Sequence, residues 1–445
     1  MLKFRLLPVT VAALMVFAAT GASAQTLNLR DLLTNFLLEG VVLSPPPPTS
    51  GFPSHEAHFI GTDSLQFQAL QQFNASLSQQ LSSFPLPSSA GGFTYEYDPQ
   101  LGVFNRASNS FGPVYAERAN TIGRGKFNLG INASHFSFDH LDDLSLRDGD
   151  VRLVFTHVDV NRDGNSEVPF FEGDLITGQL FLKVDSDITA FVMTYGVTDR
   201  LDIGAAIPLV RVQIDAQSNL QLQRIATGQS STIHQFLNGS RAETVSQSGS
   251  ASGVGDVLLR AKYRLVQTPS AGLAIGGDLR LPTGEERDLL GTGATQVKAL
   301  VIGSLTAGAF SPHVNAGYLW SSGGQQDIPN EIDYAAGFDW AVHPRMTLAV
   351  DVLGRDVLDS RSVSVEPVTF RANTNPDSTT APVITTAQFP SLLTTVQDSN
   401  ALSGSIGVKF NPFGNILITV NGLFALNNKG LQSDFSPLIG LDYSF

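Results

Sequence analysis

Residues 159–167 read Asp159-Val160-Asn161-Arg162-Asp163-Gly164-Asn165-Ser166-Glu167, with side-chain oxygens at positions 1, 3, 5 and 9 and glycine at position 6. That spacing wraps a turn around a hard cation such as Ca2+, and Gly164 permits the sharp bend. Position 12 is Phe170, where a bidentate glutamate would complete the shell, although Glu172 and Asp174 follow closely. The incomplete pattern reads first as a polar turn in an exposed loop, with a calcium site formed by Asp159, Asn161, Asp163 and Glu167 as the alternative. No other cofactor is expected. Zero cysteines exclude disulfides, thiolate zinc sites, covalent haem attachment and cysteine nucleophiles. A serine nucleophile would need a histidine within hydrogen-bond reach, and the eight histidines are scattered at 55, 58, 135, 140, 157, 234, 313 and 343.

A second set of ionisable residues recurs at alternate positions. Asp256, Arg260, Lys262 and Arg264 fall on one face of one segment, Asp278 and Arg280 on one face of the next. Lys298, Asp333, Asp339, Asp351, Arg355 and Lys409 follow along the chain. Mixed charges on neighbouring strands pair across a lumen, and they either fill it as structure or meet a passing solute. Their role depends on the elements that carry them.

Those elements are strands. From Lys126 onward the pattern has period two, the spacing of a strand with a different environment on each face. Phe435, Ile439, Leu441, Tyr443 and Phe445 share one face; Asp434, Ser436, Gly440, Asp442 and Ser444 share the other. Val257, Leu259, Ala261, Tyr263 and Leu265 oppose the charged set above, and Ile332, Tyr334, Ala336, Phe338 and Trp340 oppose Asp333 and Asp339. The spacing predicts twelve strands near 126–138, 175–197, 201–215, 255–266, 271–282, 295–308, 312–321, 331–341, 346–356, 402–410, 415–426 and 434–445.

Alternation fits a soluble sandwich as well as a membrane barrel; the connections separate them. Tight turns such as Thr198-Asp199-Arg200, Thr268-Pro269-Ser270 and His343-Pro344-Arg345 alternate with long links at 139–174, 216–254, 283–294, 322–330, 357–401 and 427–433. An up-and-down outer-membrane barrel has this regular succession, with short turns on the periplasmic side. The reading is an all-β, up-and-down antiparallel transmembrane barrel of about 12 strands with a small, partly helical N-terminal segment.

Composition agrees. Charged residues are 15% of the chain, against about 25% in soluble proteins, and mean hydropathy is only +0.07. Beyond residue 24 no apolar run approaches the ~18 residues of a spanning helix. A net charge of -13 disfavours nucleic acid as a partner. Lys3 and Arg5, the apolar stretch Leu6 to Ala19 and Ala22-Ser23-Ala24 form a secretory signal with cleavage before Gln25.

The chain therefore divides into a signal peptide (1–24), an N-terminal helical and linker segment that is a candidate plug (25–120), and the barrel (121–445). Leu29, Leu32, Leu33, Phe36 and Leu37 predict an amphipathic helix over 28–39; Leu65, Phe73, Leu77 and Leu81 predict a second over 64–81. Pro45 to Pro48 form a stiff linker between them, and residues 93–98 and 101–106 suggest a hairpin.

Ending on Phe445 with Tyr443 on the same face, the chain resembles bacterial outer-membrane proteins, whose terminal Phe is recognised by the barrel-assembly machinery. Several stretches also resemble the outer-membrane transporter family named for the MetA pathway of phenol degradation, similar in design to long-chain fatty acid transporters. They are Ser110-Phe111-Gly112-Pro113 with Ala116-Glu117-Arg118, Tyr195 to Asp202, Gly253-Val254-Gly255-Asp256, and Leu281-Pro282-Thr283-Gly284 with Gly291-Thr292-Gly293. The resemblance spans roughly residues 92–310 and the last strand. It implies a barrel in the bacterial outer membrane, in contact with its lipid and lipopolysaccharide, that passes small apolar or aromatic compounds. The competing class is a structural or adhesive surface barrel with a blocked lumen. Some twelve-stranded outer-membrane barrels are phospholipases, but no histidine here shares a serine motif resembling theirs, so catalysis is not expected.

Overall fold

The computed structural model describes residues 28–45, 59, 65–81, 85, 87–88, 92–98, 100, 103–160, 162, 167–323, 328–377, 381–396 and 398–445. The expected signal peptide, residues 1–24, and Pro46 to Pro48 lie outside these residues. The twelve expected strands are all present: β1 (Phe127–Phe138), β2 (Leu175–Gly196), β3 (Leu201–Gln223), β4 (Val257–Gln267), β5 (Ala271–Leu281), β6 (Ala294–Leu305), β7 (Phe310–Gly323), β8 (Glu331–His343), β9 (Met346–Val357), β10 (Ser399–Phe410), β11 (Ile416–Ala425) and β12 (Phe435–Ser444). Each pairs antiparallel with its sequence neighbours. β12 pairs with β1 in the register Leu441↔Ile131, which closes the ring and leaves no free edge in the wall. None of the described helices is long and apolar enough to cross a membrane; the chain crosses with strands.

The facing follows the sequence pattern. Tyr443, Leu441 and Ile439 point outward and are about half exposed, whereas Asp442 and Ser444 are buried inside. Phe445 exchanges backbone hydrogen bonds with Phe127, at 2.8 and 2.9 Å. Its ring lies 5.2 Å from that of Phe127, in an aromatic rim that includes Tyr443 and Tyr195. The rim sits at the short-turn end, where amphipathic rings suit the membrane interface.

β2 and β3 run far beyond the other strands, with 22 and 23 residues. Along β3 the outward face is apolar at Ile203, Ile207 and Leu209, then polar at Arg211, Gln213, Asp215 and Gln217. On β2 the change comes at the same level, since Asp187 pairs in register with Arg211. The inward face changes in the opposite sense. Val212, Ile214, Leu220 and Leu222 of β3, with Leu182 and Val184 of β2, point inward and are buried. Within the bilayer the barrel is apolar outside and polar inside; above it, it is polar outside with an apolar core.

That upper core is where the N-terminal segment docks. α1 (Leu29–Gly40) and α2 (Leu65–Leu81) form as predicted, and Leu32, Phe36, Phe73, Leu77 and Leu81 are buried in one cluster with the inward residues of β2 and β3. The side chains of Leu33, Leu37 and Leu65 lie outside the described ones. A short helix needs such a surface to be stable in water. Gly249 admits α1, because a Cβ there would strike Leu29 and Leu32.

The long links hold more structure than their sequence predicts. Val151–Thr156 pairs with the upper part of β2 and Ala242–Val254 with the upper part of β3. Arg361–Asn373 and Ile384–Val396 form a separate hairpin. The extended β2 and β3 leave backbone donors and acceptors unpaired above the wall, and the added strands satisfy them.

Candidate functional site: a stoppered lumen

Residues 108–122 run inside the barrel near its short-turn end. An extended segment shut away from water must find partners for its backbone groups, and inward side chains of the wall supply them. Phe111 N donates to Thr347 Oγ1 (2.9 Å), Ala119 N to Ser304 Oγ (3.2 Å) and Ile122 N to Asp202 Oδ2 (3.0 Å). Asn315 binds one residue twice, accepting from Glu117 N (2.7 Å) and donating to Glu117 O (2.9 Å). Lys409 Nζ donates to Pro113 O (2.6 Å) and Phe111 O (3.3 Å). Strands β3, β6, β7, β9 and β10 thus hold one strap of chain.

Charge fastens it further. Glu117 Oε1 accepts from Arg260 Nη1 (2.8 Å) and Oε2 from Lys262 Nζ (3.1 Å). Arg118 Nη1 donates to Ser108 Oγ and Ser110 Oγ at 2.9 Å and lies 3.3 Å from Asp339 Oδ2. The strap leaves the lumen past Gly196, where a Cβ would collide with the carbonyl of Gly123. Below it, the hairpin of Tyr95–Asp98 and Val103–Arg106 forms as expected. Phe93, Phe111 and Leu417 pack together, with Arg106 stacked 4.7 Å from the Phe111 ring.

Above the strap lies a cavity of about 280 Å3 that opens to solvent. Phe136 and Phe138 of β1 and Leu423 of β11 make one side apolar; Arg260, Asp278, Arg280, Lys298 and Asp333 of β4 to β8 charge the other, among Leu258, Leu300 and Leu319, and β9 carries both Leu353 and Arg355. The charges pair along the register. Arg260 holds Asp278 in a bidentate grip at 2.6 and 2.7 Å. Lys298 reaches past Gly317 of β7 to Asp333 at 2.5 Å. Tyr115 and Glu117 of the strap form part of the lining.

The structure therefore brings Arg260, Asp278, Arg280 and Arg355 together around one space, with Lys262 buried behind Glu117. It places others elsewhere. Arg264 is buried near Asp202 at the short-turn end. Asp351 lies under the strap, bonded to His313 Nε2 at 2.6 Å, and His313 in turn faces Asp339 at 3.5 Å. Asp256 lies just ahead of β4, outside the ion-paired band. Its carboxylate accepts from Gly284 N (3.0 Å), Thr292 N (2.7 Å) and Thr292 Oγ1 (2.8 Å). Three of the resembling motifs, 253–256, 281–284 and 291–293, are tied together there.

Of the candidate calcium loop, Asn161 and Asp163 lie outside the described residues. Glu167 binds Arg371 of the separate hairpin at 2.6 Å, and Glu172 accepts from Val160 N at 2.8 Å. Asp174 faces away into a buried knot, accepting from Ala226 N and Thr227 N and bonding His234 Nδ1 at 2.9 Å. Arg224 donates there to the His234 carbonyl at 2.9 Å, and burial pulls its guanidinium below the ordinary arginine range. At the rim, a hydrogen bond to Asp143 raises the Lys429 ammonium above the usual lysine value. Among the other histidines, His135 meets Asp187 on the outer surface and His140 meets Asp434.

Sequence reasoning assigned no role to Thr347, Ser304 or Asn315, and Asp202 stood out only as the end of a motif. Their only signal was a polar residue at an inward position of a strand. Glu117 and Arg118 stood out only as part of a motif.

Fold and lumen define a transmembrane β-barrel whose interior is partly occupied by its own N-terminal segment. Residues 172–354 match the family model described as a putative MetA-pathway of phenol degradation, in agreement with the sequence motifs. No curated protein matches the chain. Among solved structures, it is similar to an outer membrane channel from Pseudomonas putida F1, with 13% identity and a TM-score of 0.42 over 74% of this chain and 98% of that one. A Pseudomonas aeruginosa FadL homologue is similar at 11% identity and TM-score 0.33 over 82% and 99%. The NanC porin is similar at 10% and 0.32 over 61% and 98%.

Proposed function

We propose that this protein resides in the bacterial outer membrane and passes small apolar or aromatic compounds inward, without catalysis. The observation that carries the reading is the two-faced cavity inside a lipid-facing wall, stoppered on one side by residues 108–122. A wide water-filled pore would not need the strap, and an inert wall would not need a cavity with an aromatic side. Apolar solutes cross a lipopolysaccharide leaflet slowly, so a cell that uses them gains from a protein route.

Proteoliposomes carrying the mature protein should take up a neutral aromatic such as toluene faster than empty ones. Planar bilayers should show small or no conductance. Large steady conductance indifferent to aromatic solutes would make it a general porin and end this reading. The second reading, a structural or adhesive barrel, draws on the paired charges that narrow the lumen; it predicts neither conductance nor uptake.

A further inference from the structure

The cradle around Glu117 is built like a binding site for a carboxylate. Arg260 and Lys262 are two residues apart on β4 and so project to the same inward face. Arg260 spends Nε and Nη2 on Asp278 and turns Nη1 to Glu117 Oε1, while Lys262 takes Oε2. Two cations and two carboxylates balance at this node, and one of the carboxylates belongs to the strap. Glu117 and Arg260 both line the cavity, whose opposite side is aromatic and aliphatic. Asn315 bolts the Glu117 backbone at both its N–H and its carbonyl. The side chain can therefore rotate away without the strap leaving the lumen.

We propose that Glu117 is a stand-in ligand. The cavity binds small amphipathic carboxylates, aromatic or alkyl, whose acid group replaces the Glu117 carboxylate on Arg260 and Lys262 while the apolar body rests against Phe136, Phe138 and Leu423. The acid takes the place of one carboxylate on the two cations while the displaced Glu117 side chain stays on the strap that Asn315 holds, so it competes with an internal carboxylate, and charge-assisted bonds to the guanidinium favour an acid over its neutral counterpart. The inference rests on the channel reading above and narrows its cargo.

Calorimetric titration of the intact mature protein in detergent tests it, using 4-phenylbutyrate and its neutral analogue 4-phenylbutan-1-ol. The acid should bind at least about tenfold more tightly than the alcohol. Glu117→Gln, which leaves the two cations with one carboxylate fewer, should tighten the acid by about tenfold and leave the alcohol unchanged. Arg260→Gln should erase the preference; slower migration after heating on detergent gels would confirm that each variant is folded. Equal binding of acid and alcohol, binding of neither, or an acid affinity untouched by Glu117→Gln overturns the proposal. Liposome uptake separates the two claims. Toluene uptake without acid preference keeps the channel and removes the stand-in; acid preference without uptake of any solute does the reverse.

Discussion

Arginine placed step by step along the outward face of β3 should locate the upper edge of the bilayer. From Leu201 to Arg211 there are ten residue steps. At about 3.3 Å per step and a tilt of about 40°, they rise roughly 25 Å, the height of the apolar band in such barrels. Ile207 lies inside that span, outward and 45% exposed. Ile207→Arg should cost about 2–4 kcal/mol, the midplane value, reduced if the side chain snorkels. Gln213, three outward positions further, already faces the aqueous side, so Gln213→Arg should fall within about 0.5 kcal/mol of neutral. One residue back, Val212 is buried in the upper core, and Val212→Arg should be at least as costly as the change at Ile207, because it buries an unpaired charge. Reversible urea unfolding in phosphatidylcholine vesicles would give the three values, with Trp320 and Trp340 on the lipid face as fluorescent reporters. Comparable costs at Ile207 and Gln213, or a harmless Val212→Arg, would refute the inversion of the two faces above the membrane.

Two further outcomes follow from the N-terminal segment and its neighbouring loop. Phe73 is fully buried on α2, which packs against Val151–Thr156 and the hairpin of Arg361–Asn373 and Ile384–Val396, so Phe73→Ala should cost about 3–5 kcal/mol of docking; hydrogen exchange should then quicken across Leu65–Leu81 while the heat-dependent gel mobility of the barrel stays unchanged. If residues 159–167 hold Ca2+, calorimetric titration of the purified protein should release heat that Asp163→Ala abolishes, and no binding at millimolar Ca2+ would leave the segment a polar turn.

Period-two patterning was enough to place all twelve wall strands and to face them. A one-residue slip would have turned Asp442 or Asp333 to lipid, so the register is written locally in each strand. The alternation of tight and long links then fixed the up-and-down order. The amphipathic stripes of α1 and α2 were legible for the same reason, since each lies within a few turns of one helix.

What the sequence could not show was what those faces meet. Asp256 carries the same alternation as Arg260 and Lys262, yet it knots two loops instead of joining the ion-paired band, because the strand begins one residue later, at Val257. The strands at Val151–Thr156 and Ala242–Val254 have no strong pattern of their own and exist because the extended β2 and β3 offer them edges. Glu117 finds its cations 143 and 145 residues away in the chain. Alternation and turn length are properties of neighbours in sequence, and they determined the wall. The strap, the cavity and the acid in its cradle come from closing that wall around its own N-terminal segment, which only the tertiary structure decides.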